Sequence, residues 1–330
     1  MAVRIAINGF GRIGRLVLRA ILESKRQDVV VVAINDLASP DVGAYLLAYD
    51  SVHGPLNMPY TMAQGVLSVG GMEIQMLSQR QPSALPWKAM DVDVLMECSG
   101  VFTSKADAAQ HLAAGARKVL ISAPSADADK TVVYGVNEKT LTAKDLVVSN
   151  ASCTTNCLAP VAAVLHETIG ILRGYMTTIH AYTGDQRLVD TAHSDLRRAR
   201  AGALSMIPTS TGAAQAVGLV LPALAGKLDG SAIRVPTTNV SLVDFTFEAA
   251  QDTSVTQIND IMRAHASKVL GINSLPLVSI DFNHSSFSSI FDTTQTQVVE
   301  KRLCRVLSWY DNEWGFSNRM SDVAVVLAGL

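Results

Sequence analysis

A short polar stretch around two cysteines carries side chains that could do covalent chemistry. Residues 149–157 read Ser-Asn-Ala-Ser-Cys-Thr-Thr-Asn-Cys and lead directly into an apolar helical pattern. A cysteine just before a helix has its sulfur near unpaired backbone N–H groups and the positive end of the helix dipole, which both favour thiolate over thiol. Cys153 is therefore the candidate nucleophile. The run could equally be only a polar helix cap, since Ser, Thr and Asn are common there.

A histidine further along the chain is the candidate partner of this thiol. His180 ends the strand-like run at 176–179 and is followed by Tyr-Thr-Gly-Asp, which supplies small donors suited to an anionic ligand. An imidazole within hydrogen-bond reach of a thiol can stabilise the thiolate and later move a proton. Spacing alone fits a surface histidine better, so the pattern leaves the pairing open.

The first residues contain a glycine motif in the context that gives it meaning. A strand predicted at Val3–Ile7 runs into Asn-Gly-Phe-Gly-Arg-Ile-Gly, and apolar residues then recur at helical spacing. In such a motif Gly9 permits the tight turn, Gly11 lets the backbone approach a pyrophosphate, and Gly14 allows close packing of helix on strand. The start of the helix faces the phosphates. The pattern predicts a dinucleotide site.

An acidic residue follows the second predicted strand, Val29–Ile34. Asp36 lies about 20 residues beyond the last glycine, where a carboxylate accepts hydrogen bonds from an adenosine ribose. The same carboxylate repels a 2′-phosphate, so the predicted cofactor is NAD. Ligands of parallel sheets gather at the carboxyl ends of strands, which makes Ser99, Phe102 and Ser122 candidate cofactor neighbours as well as candidate loop residues. The further predicted elements are strands at 92–96, 118–121 and 146–148 and a helix at Ala106–Ala114.

From about residue 153 the pattern changes. Strand-like runs follow one another without regular helices between them, which indicates a mixed, largely antiparallel sheet. We therefore expect an α/β Rossmann-type cofactor domain at 1–152, completed by a terminal helix at 313–330, and an α+β catalytic domain at 153–312. A long polar segment at 181–205 is typical of a functional or interfacial loop. The strand-like runs are Met176–Ile179, Ala232–Val235, Leu242–Phe247, Leu277–Ile280 and Leu303–Trp309.

Composition limits the classes of function. With 330 residues, 48% hydrophobic and 17% charged, the chain can bury a large core and form about two domains. A net charge of -2 gives no reason to expect nucleic acid or a membrane surface as partner. There is no signal peptide pattern and no apolar run of the roughly 18 residues that a spanning helix needs, so the predicted location is cytoplasmic. Four irregularly spaced cysteines indicate free thiols and no metal site.

Several longer motifs, in order from the first strand to the terminal helix, resemble one enzyme family. The chain closely resembles the phosphorylating glyceraldehyde-3-phosphate dehydrogenases. The segments that carry the resemblance are Ile7–Arg15, Ser149–Cys157, His180–Thr183, Pro208–Ala214, Arg234–Thr237 and Trp309–Glu313.

The resemblance implies oxidation of D-glyceraldehyde 3-phosphate to 1,3-bisphosphoglycerate with reduction of NAD. Cys153 would attack the aldehyde to give a thiohemiacetal. His180 would pair with the thiolate and take up the hydroxyl proton as hydride leaves. Inorganic phosphate would then cleave the resulting thioester.

Two anion sites are implied as well, one for the substrate's own phosphate and one for the attacking phosphate. Hydroxyls, backbone N–H groups and guanidinium groups are the expected donors. Because Asp185 can only accept hydrogen bonds, its implied task is to orient Arg234 or a water. The site for the substrate's phosphate would comprise Thr183, Asp185 and Arg234, and the site for the attacking phosphate Ser152, Thr154, Arg198, Thr211 and Gly212.

For the cofactor, the resemblance adds residues outside the glycine motif. Asn312 would fix the nicotinamide carboxamide, and the polar segment after His180 corresponds to a loop at the subunit interface of a homotetramer. The full set carried over is Asn8, Arg12, Ile13, Asp36, Arg80, Ser122 and Asn312.

Three alternatives remain open. Leu37 after Asp36 favours NAD, but Ala192 stands where a proline is common in NAD-preferring members, which leaves room for some use of NADP. The run at 278–286 also resembles erythrose-4-phosphate dehydrogenase, which releases a free acid. The Thr211-Gly212 pair and the Tyr-Thr-Gly after His180 favour the phosphorylating enzyme. A catalytically silent NAD-binding regulator on the same fold is the third alternative.

Overall fold

Two groups of residues form separate units in the computed structural model, which describes residues 2–330. One unit runs to Ser152 and also includes Ser317–Leu330, and the other is Cys153–Phe316.

The first unit is built on a mainly parallel sheet. Within the described residues the strand order is β10-β11-β9-β8-β1-β2-β7-β6-β5, and every neighbouring pair from β10 to β7 is parallel. This arrangement confirms the predicted Rossmann-type domain. The strands are β1 (Val3–Asn8), β2 (Val29–Asn35), β3 (Tyr49–Asp50), β4 (Gly54–Pro55), β5 (Tyr60–Ala63), β6 (Val66–Val69), β7 (Met72–Leu77), β8 (Val94–Glu97), β9 (Lys118–Ile121), β10 (Lys130–Thr131) and β11 (Val147–Ser149). The helices are α1 (Arg12–Glu23), α2 (Pro40–Ala48), α3 (Lys105–Ala108) and α4 (Gln110–Ala113), with 3₁₀ turns at Pro82–Ala84 and Glu138–Thr140.

Burial explains why the central strands could be recognised. Strand β1 is Val-Arg-Ile-Ala-Ile-Asn with its last four residues buried, and all four residues of both β8 and β9 are buried. Strands covered on both faces become nearly continuous apolar runs.

This unit differs from the sequence-based expectation in several places, which include helix α2 and strands β3, β4 and β10, none of them predicted. The helix expected at Ala106–Ala114 is the two short helices α3 and α4, which meet at Ala109. Strands β5 to β7 form an antiparallel extension of the sheet that was not predicted. Their turns carry Gln64-Gly65 and Gly70-Gly71, four residues with positive φ, and these dipeptides were the available turn signal.

The second unit is built on a mixed sheet. In the described part of this unit the order is β13-β14-β12-β15-β19-β17-β16, with β18 beside β19. Only the β12–β14 and β16–β17 pairs among these are parallel, which confirms the expected mixed, largely antiparallel sheet. The strands are β12 (Ile171–Ala181), β13 (Ile207–Ser210), β14 (Leu228–Val235), β15 (Ser241–Ala249), β16 (Leu270–Asn273), β17 (Ser289–Asp292), β18 (Gln297–Val299) and β19 (Leu303–Tyr310). The helices are α5 (Cys153–Thr168), α6 (Ala213–Val220) and α7 (Val255–Ala264).

The strand expected at Leu277–Ile280 is wrong. The chain there forms a 3₁₀ turn, Ser279–Phe282, with Val278 and Ile280 exposed. An apolar run alone does not distinguish a strand from an exposed turn. Helices α6 and α7 were missed because the expectation placed no regular helices between the strands of this half.

A last helix, α8 (Trp314–Ala328), ends the chain. Its apolar residues Met320, Val323 and Leu327 are buried. Within the first unit, the guanidinium of Arg26 binds the Asp322 carboxylate at 2.7 Å and so ties the end of α1 to this helix.

The close packing of α1 on β1 yields a stability prediction. A Cβ added at Gly14 would lie 2.0 Å from the Gly9 carbonyl oxygen, whereas one added at Gly11 meets nothing within 4 Å. Because the clash is with backbone, we expect Gly14→Ala to lower the free energy of unfolding by about 1–3 kcal/mol. Thermal denaturation without ligand measures this, with Gly11→Ala as the matched control. Equal melting temperatures for the two variants would contradict the packing argument.

Candidate active site

The thiol and the imidazole that could act together are neighbours in the second unit. Cys153 is the first residue of α5, and the Ala151 before it has a φ of 57°, a left-handed conformation that turns the chain from β11 towards the helix. His180 lies next to the end of β12. The Cys153 Sγ is 3.5 Å from His180 Nε2, within reach for proton transfer.

Burial dominates the electrostatics of this pair. It raises the pKa of the Cys153 thiol, although the Arg234 guanidinium and hydrogen bonds from Thr154 oppose it. Desolvation of the sulfur thus opposes the effect of the helix start, which by itself favours thiolate over thiol. Burial and then Arg234 lower the pKa of His180 to about 3. Neither group charges alone near neutral pH, but proton transfer from sulfur to Nε2 leaves the pair's net charge unchanged.

Tyr310 joins the two catalytic elements. Its hydroxyl lies 2.9 Å from the Thr154 hydroxyl on α5 and 2.8 Å from the Thr178 hydroxyl on β12. Thr178 also donates to the Leu242 carbonyl at 3.2 Å, so the Tyr310 hydroxyl is the donor towards Thr178. The ring packs edge-on against His180, with centroids 5.9 Å apart. Tyr310 thus positions Cys153 and His180, and sequence spacing gave no signal for it.

Arg234 reaches the other side of His180. Because β12 and β14 are parallel, His180 and Arg234 are partners in register. The Arg234 Nη1 lies 2.7 Å from His180 Nδ1 and donates to the Ala181 carbonyl at 3.3 Å. Its Nε is buried without a hydrogen-bond partner. A guanidinium with an unused buried donor beside the thiol is suited to bind an anionic substrate group.

The loop after β12 is held by a second arginine. Arg198 donates from Nη1 to the Asp185 carboxylate at 2.9 Å and from Nε to the Thr209 hydroxyl at 2.9 Å. Asp185 also lies 3.4 Å from His193 Nε2. Asp185 was expected to orient Arg234 or a water, and its carboxylate binds Arg198, a partner that the expectation did not name.

The other residues predicted to bind phosphate contact protein groups or are at least partly buried, with the exception of Gly212. The Thr183 hydroxyl donates to Gln186 at 3.3 Å. The Thr211 hydroxyl accepts from the Ala213 N–H at 3.2 Å, just before α6, while Gly212 is exposed. Thr154 is buried against Tyr310, and Ser152 is half-buried directly before the nucleophile.

A separate cavity in the first unit, of about 320 Å³, holds most of the predicted cofactor residues. It lies at the carboxyl ends of β1, β2 and β8, as expected for a parallel sheet. Arg12, Ile13, Gly14 and Ser122 are not in its lining. The predicted residues in the lining are Asn8, Gly9, Gly11, Asp36, Arg80, Ser99 and Phe102, and the residues added by the structure are Asn35, Leu37, Gln79, Cys98 and Val101.

This cavity fits a dinucleotide. Gly9 has a φ of 92°, and the space next to Gly11 is open, so a ligand can approach the backbone there. The Asp36 carboxylate accepts from the N–H groups of Phe10 at 2.5 Å and Ala38 at 2.8 Å, which holds it at the cavity with lone pairs remaining for ribose hydroxyls.

Some predicted cofactor ligands are already bound by protein. The Arg12 guanidinium pairs with Asp50 at 2.6 Å, and the side chains of Asn8 and Ser99 bind Glu97. In the second unit, Asn312 accepts a hydrogen bond from the Ser241 hydroxyl at 2.7 Å. That bond holds the carbonyl oxygen of the Asn312 side chain against Ser241, so its NH₂ group is the part that can donate to a ligand.

Residues 2–330 show neither a metal-binding cluster nor a membrane-spanning helix. No group of three or more His, Cys, Asp or Glu side chains is placed to hold a metal ion. Nor is any helix in that range long and apolar enough to cross a membrane.

Comparison with known proteins assigns both halves of the chain. Residues 3–105 match the family domain described as "Glyceraldehyde 3-phosphate dehydrogenase, NAD binding domain", and residues 152–312 match "Glyceraldehyde 3-phosphate dehydrogenase, C-terminal domain". Proteins named glyceraldehyde-3-phosphate dehydrogenase from Cereibacter sphaeroides and Xanthobacter flavus are each 60% identical, with all of both chains covered. One from Geobacillus stearothermophilus is 51% identical over 99% of each chain. With the thiol, the imidazole and the dinucleotide cavity in place, this chain belongs to the glyceraldehyde-3-phosphate dehydrogenase family.

Proposed function

We propose that the protein is an NAD-dependent, phosphorylating glyceraldehyde-3-phosphate dehydrogenase. It oxidises D-glyceraldehyde 3-phosphate in the presence of inorganic phosphate to 1,3-bisphosphoglycerate and reduces NAD. The observation that carries the proposal is the 3.5 Å contact between Cys153 Sγ and His180 Nε2 in a chain of this family.

The residues of the chain account for the proton movements. As sulfur attacks the aldehyde carbon, a C–S bond forms, and the thiol proton passes to His180 Nε2 and then to the carbonyl oxygen. His180 next takes the hydroxyl proton of the thiohemiacetal as the C–H electron pair leaves. NAD, when bound, accepts that hydride. A phosphate oxygen then attacks the thioester carbon. The C–S bond breaks, the acyl phosphate is released, and the sulfur leaves as thiolate and takes back the proton held on His180 Nε2.

Two arginines support the two phosphate sites. Arg234, with its buried unpaired Nε beside the thiol, binds the phosphate of the substrate together with Thr183. Arg198, with Thr211 and Gly212 at the start of α6 and with Ser152 and Thr154 beside the nucleophile, serves the attacking phosphate. Asp185 holds Arg198 in this scheme.

Residues of the first unit serve the cofactor. The backbone at Gly9 and Gly11 receives the pyrophosphate, and Asp36 binds the adenosine ribose. In the second unit, the NH₂ group of Asn312 is the donor for the nicotinamide carboxamide. The carboxylate at Asp36 disfavours the 2′-phosphate of NADP.

We also propose that the protein acts in the cytoplasm as a homotetramer. The loop after β12 exposes large apolar side chains: Leu188, Leu196 and Leu204 are 83%, 82% and 85% exposed. Such a concentration of exposed apolar residues supports a surface covered by another copy.

The proposed function predicts an absolute need for phosphate. We expect NAD reduction with glyceraldehyde 3-phosphate to occur at each turnover only when inorganic phosphate or arsenate is present. Steady-state absorbance assays that vary sugar phosphate and phosphate independently measure this. Rapid turnover of erythrose 4-phosphate without phosphate would select the hydrolytic relative, and no turnover of either would select the silent regulator.

The covalent mechanism predicts the effect of removing the sulfur. We expect Cys153→Ser to abolish dehydrogenase activity while NAD binding, measured by calorimetry, survives, because the cofactor residues of the first unit are unchanged. Cys304→Ser, at a buried cysteine in β19 far along the chain, is the control. Activity in Cys153→Ser comparable to that of the parent would contradict the covalent mechanism.

The role of His180 predicts a pH effect. Without the imidazole, the thiolate of Cys153 must form alone, and burial raises the pKa of that thiol. We expect His180→Asn to slow alkylation by iodoacetamide at pH 7 and move the pH profile upwards, because the thiolate then accumulates only at higher pH. NAD reduction should fall by about 10²–10⁴-fold.

The control is His265→Asn, at the exposed end of α7. It should leave both the alkylation profile and the rate of NAD reduction unchanged. An alkylation profile for His180→Asn that coincides with that of the parent would rule out the pairing.

A further inference from the structure

A fully buried carboxylate lies behind the cofactor cavity in the first unit. Glu97 ends β8 and is 1% exposed. Its Oε2 accepts from Asn8 Nδ2 at 2.6 Å and lies 3.0 Å from His111 Nε2. Its Oε1 accepts from the Ser99 N–H at 2.7 Å and from the Ser99 hydroxyl. Four donors therefore converge on one carboxylate.

A tryptophan sets the orientation of the histidine in this cluster. The Trp87 Nε1–H can only donate, and it lies 3.0 Å from His111 Nδ1. Nδ1 is therefore the acceptor, and Nε2 carries the hydrogen that His111 donates to Glu97. Both side chains are 0% exposed, so water does not compete for these bonds.

The cluster extends to the surface of the cavity. Asn8 also accepts from Asn35 Nδ2 at 2.8 Å, and Asn35 binds the backbone of Gln79 through both its donor and its acceptor. The ring of Phe102 stands edge-on to His111 with centroids 6.2 Å apart. Asn8, Asn35, Gln79, Ser99 and Phe102 are all lining residues of the cavity.

We propose that Glu97 and His111 are positioning residues for dinucleotide binding. Through their hydrogen bonds they hold the loops after β1, β2 and β8 in the arrangement that forms the adenosine and pyrophosphate half of the site. Neither touches the ligand. The inference rests on the proposed function only in taking the ligand to be a dinucleotide.

Stability alone does not account for this cluster. Burying a carboxylate is costly, and replacing buried charged groups with apolar ones of similar volume is often neutral or stabilising. What the carboxylate supplies is geometry, because its four donors fix the end of β1, the start of the loop after β8 and the imidazole on α4 at once. Comparable supporting shells around metal ligands are known to tune affinity without contacting the ligand.

Replacing Glu97 with its amide tests this role. In Glu97→Gln the NH₂ group faces donors where an acceptor stood, so the loops on that side must shift. We expect the Kd for ADP-ribose, measured by calorimetry, to rise about 10- to 100-fold, the size of one to two reversed hydrogen bonds to a charged group. The matched control is Glu23→Gln, whose carboxylate pairs with Arg19 on the same unit.

A second pair of variants gives a test that does not depend on whether Glu97→Gln folds. His111→Leu removes the donor to Glu97, whereas His111→Gln keeps an N–H at the same place. We expect the first to weaken ADP-ribose binding and the second to restore most of it. Melting temperatures without ligand are recorded for each.

The results separate positioning from simple stabilisation. If Glu97→Gln and His111→Leu lower the melting temperature while the Kd for ADP-ribose stays at the parent value, the proposal is overturned. Equal losses in His111→Leu and His111→Gln would also overturn it. Because ADP-ribose carries no nicotinamide, weaker binding without any dehydrogenase activity in the parent would support positioning and refute the proposed function.

Discussion

The hydroxyl of Tyr310 holds together the two elements that carry Cys153 and His180. One hydroxyl meets both Thr154, at the start of α5, and Thr178, on β12. The bonds are buried, where a hydrogen bond is stronger and an unpaired group is costly. The thiol beside Thr154 and the imidazole two residues beyond Thr178 therefore keep their 3.5 Å separation without direct support from a ligand. Arg198, by contrast, lies on the loop after β12 and is held by the half-exposed carboxylate of Asp185.

The glycine motif and the two cysteines could be recognised from the sequence because neighbouring residues define them. Contacts between distant parts of the chain could not be recognised in this way. Gly9 needs its positive φ of 92°, and Gly14 must leave room for the Gly9 carbonyl oxygen five residues earlier, so the spacing within the motif carried the signal. The central parallel strands could be recognised because burial on both faces makes them nearly uniformly apolar. Tyr310 lies 156 residues from Thr154, and Glu97 lies 89 residues from Asn8. No local pattern marks such contacts.

The differences from expectation have physical causes as well. The raised pKa of Cys153 reflects desolvation, which depends on everything packed around the sulfur and is invisible in a helix-start pattern. The run at 277–280 pairs with no strand: it leads into a 3₁₀ turn in which Val278 and Ile280 are exposed, while Leu277 packs against a small apolar cluster. The contact between Asp185 and Arg198 was not expected, because it forms only when the loop folds back on itself and brings Arg198, thirteen residues on, to the carboxylate.

The parallel pairing of β12 with β14 has a consequence for how this sequence can vary. His180 and Arg234 are register partners, and side chains alternate between the faces of a sheet with each residue. A substitution along either strand leaves that register intact. Losing or gaining one residue within a strand would turn every later side chain to the opposite face. The number of residues in β12 and in β14 is therefore constrained more tightly than their amino-acid composition. Tolerated insertions belong in the loops between these strands.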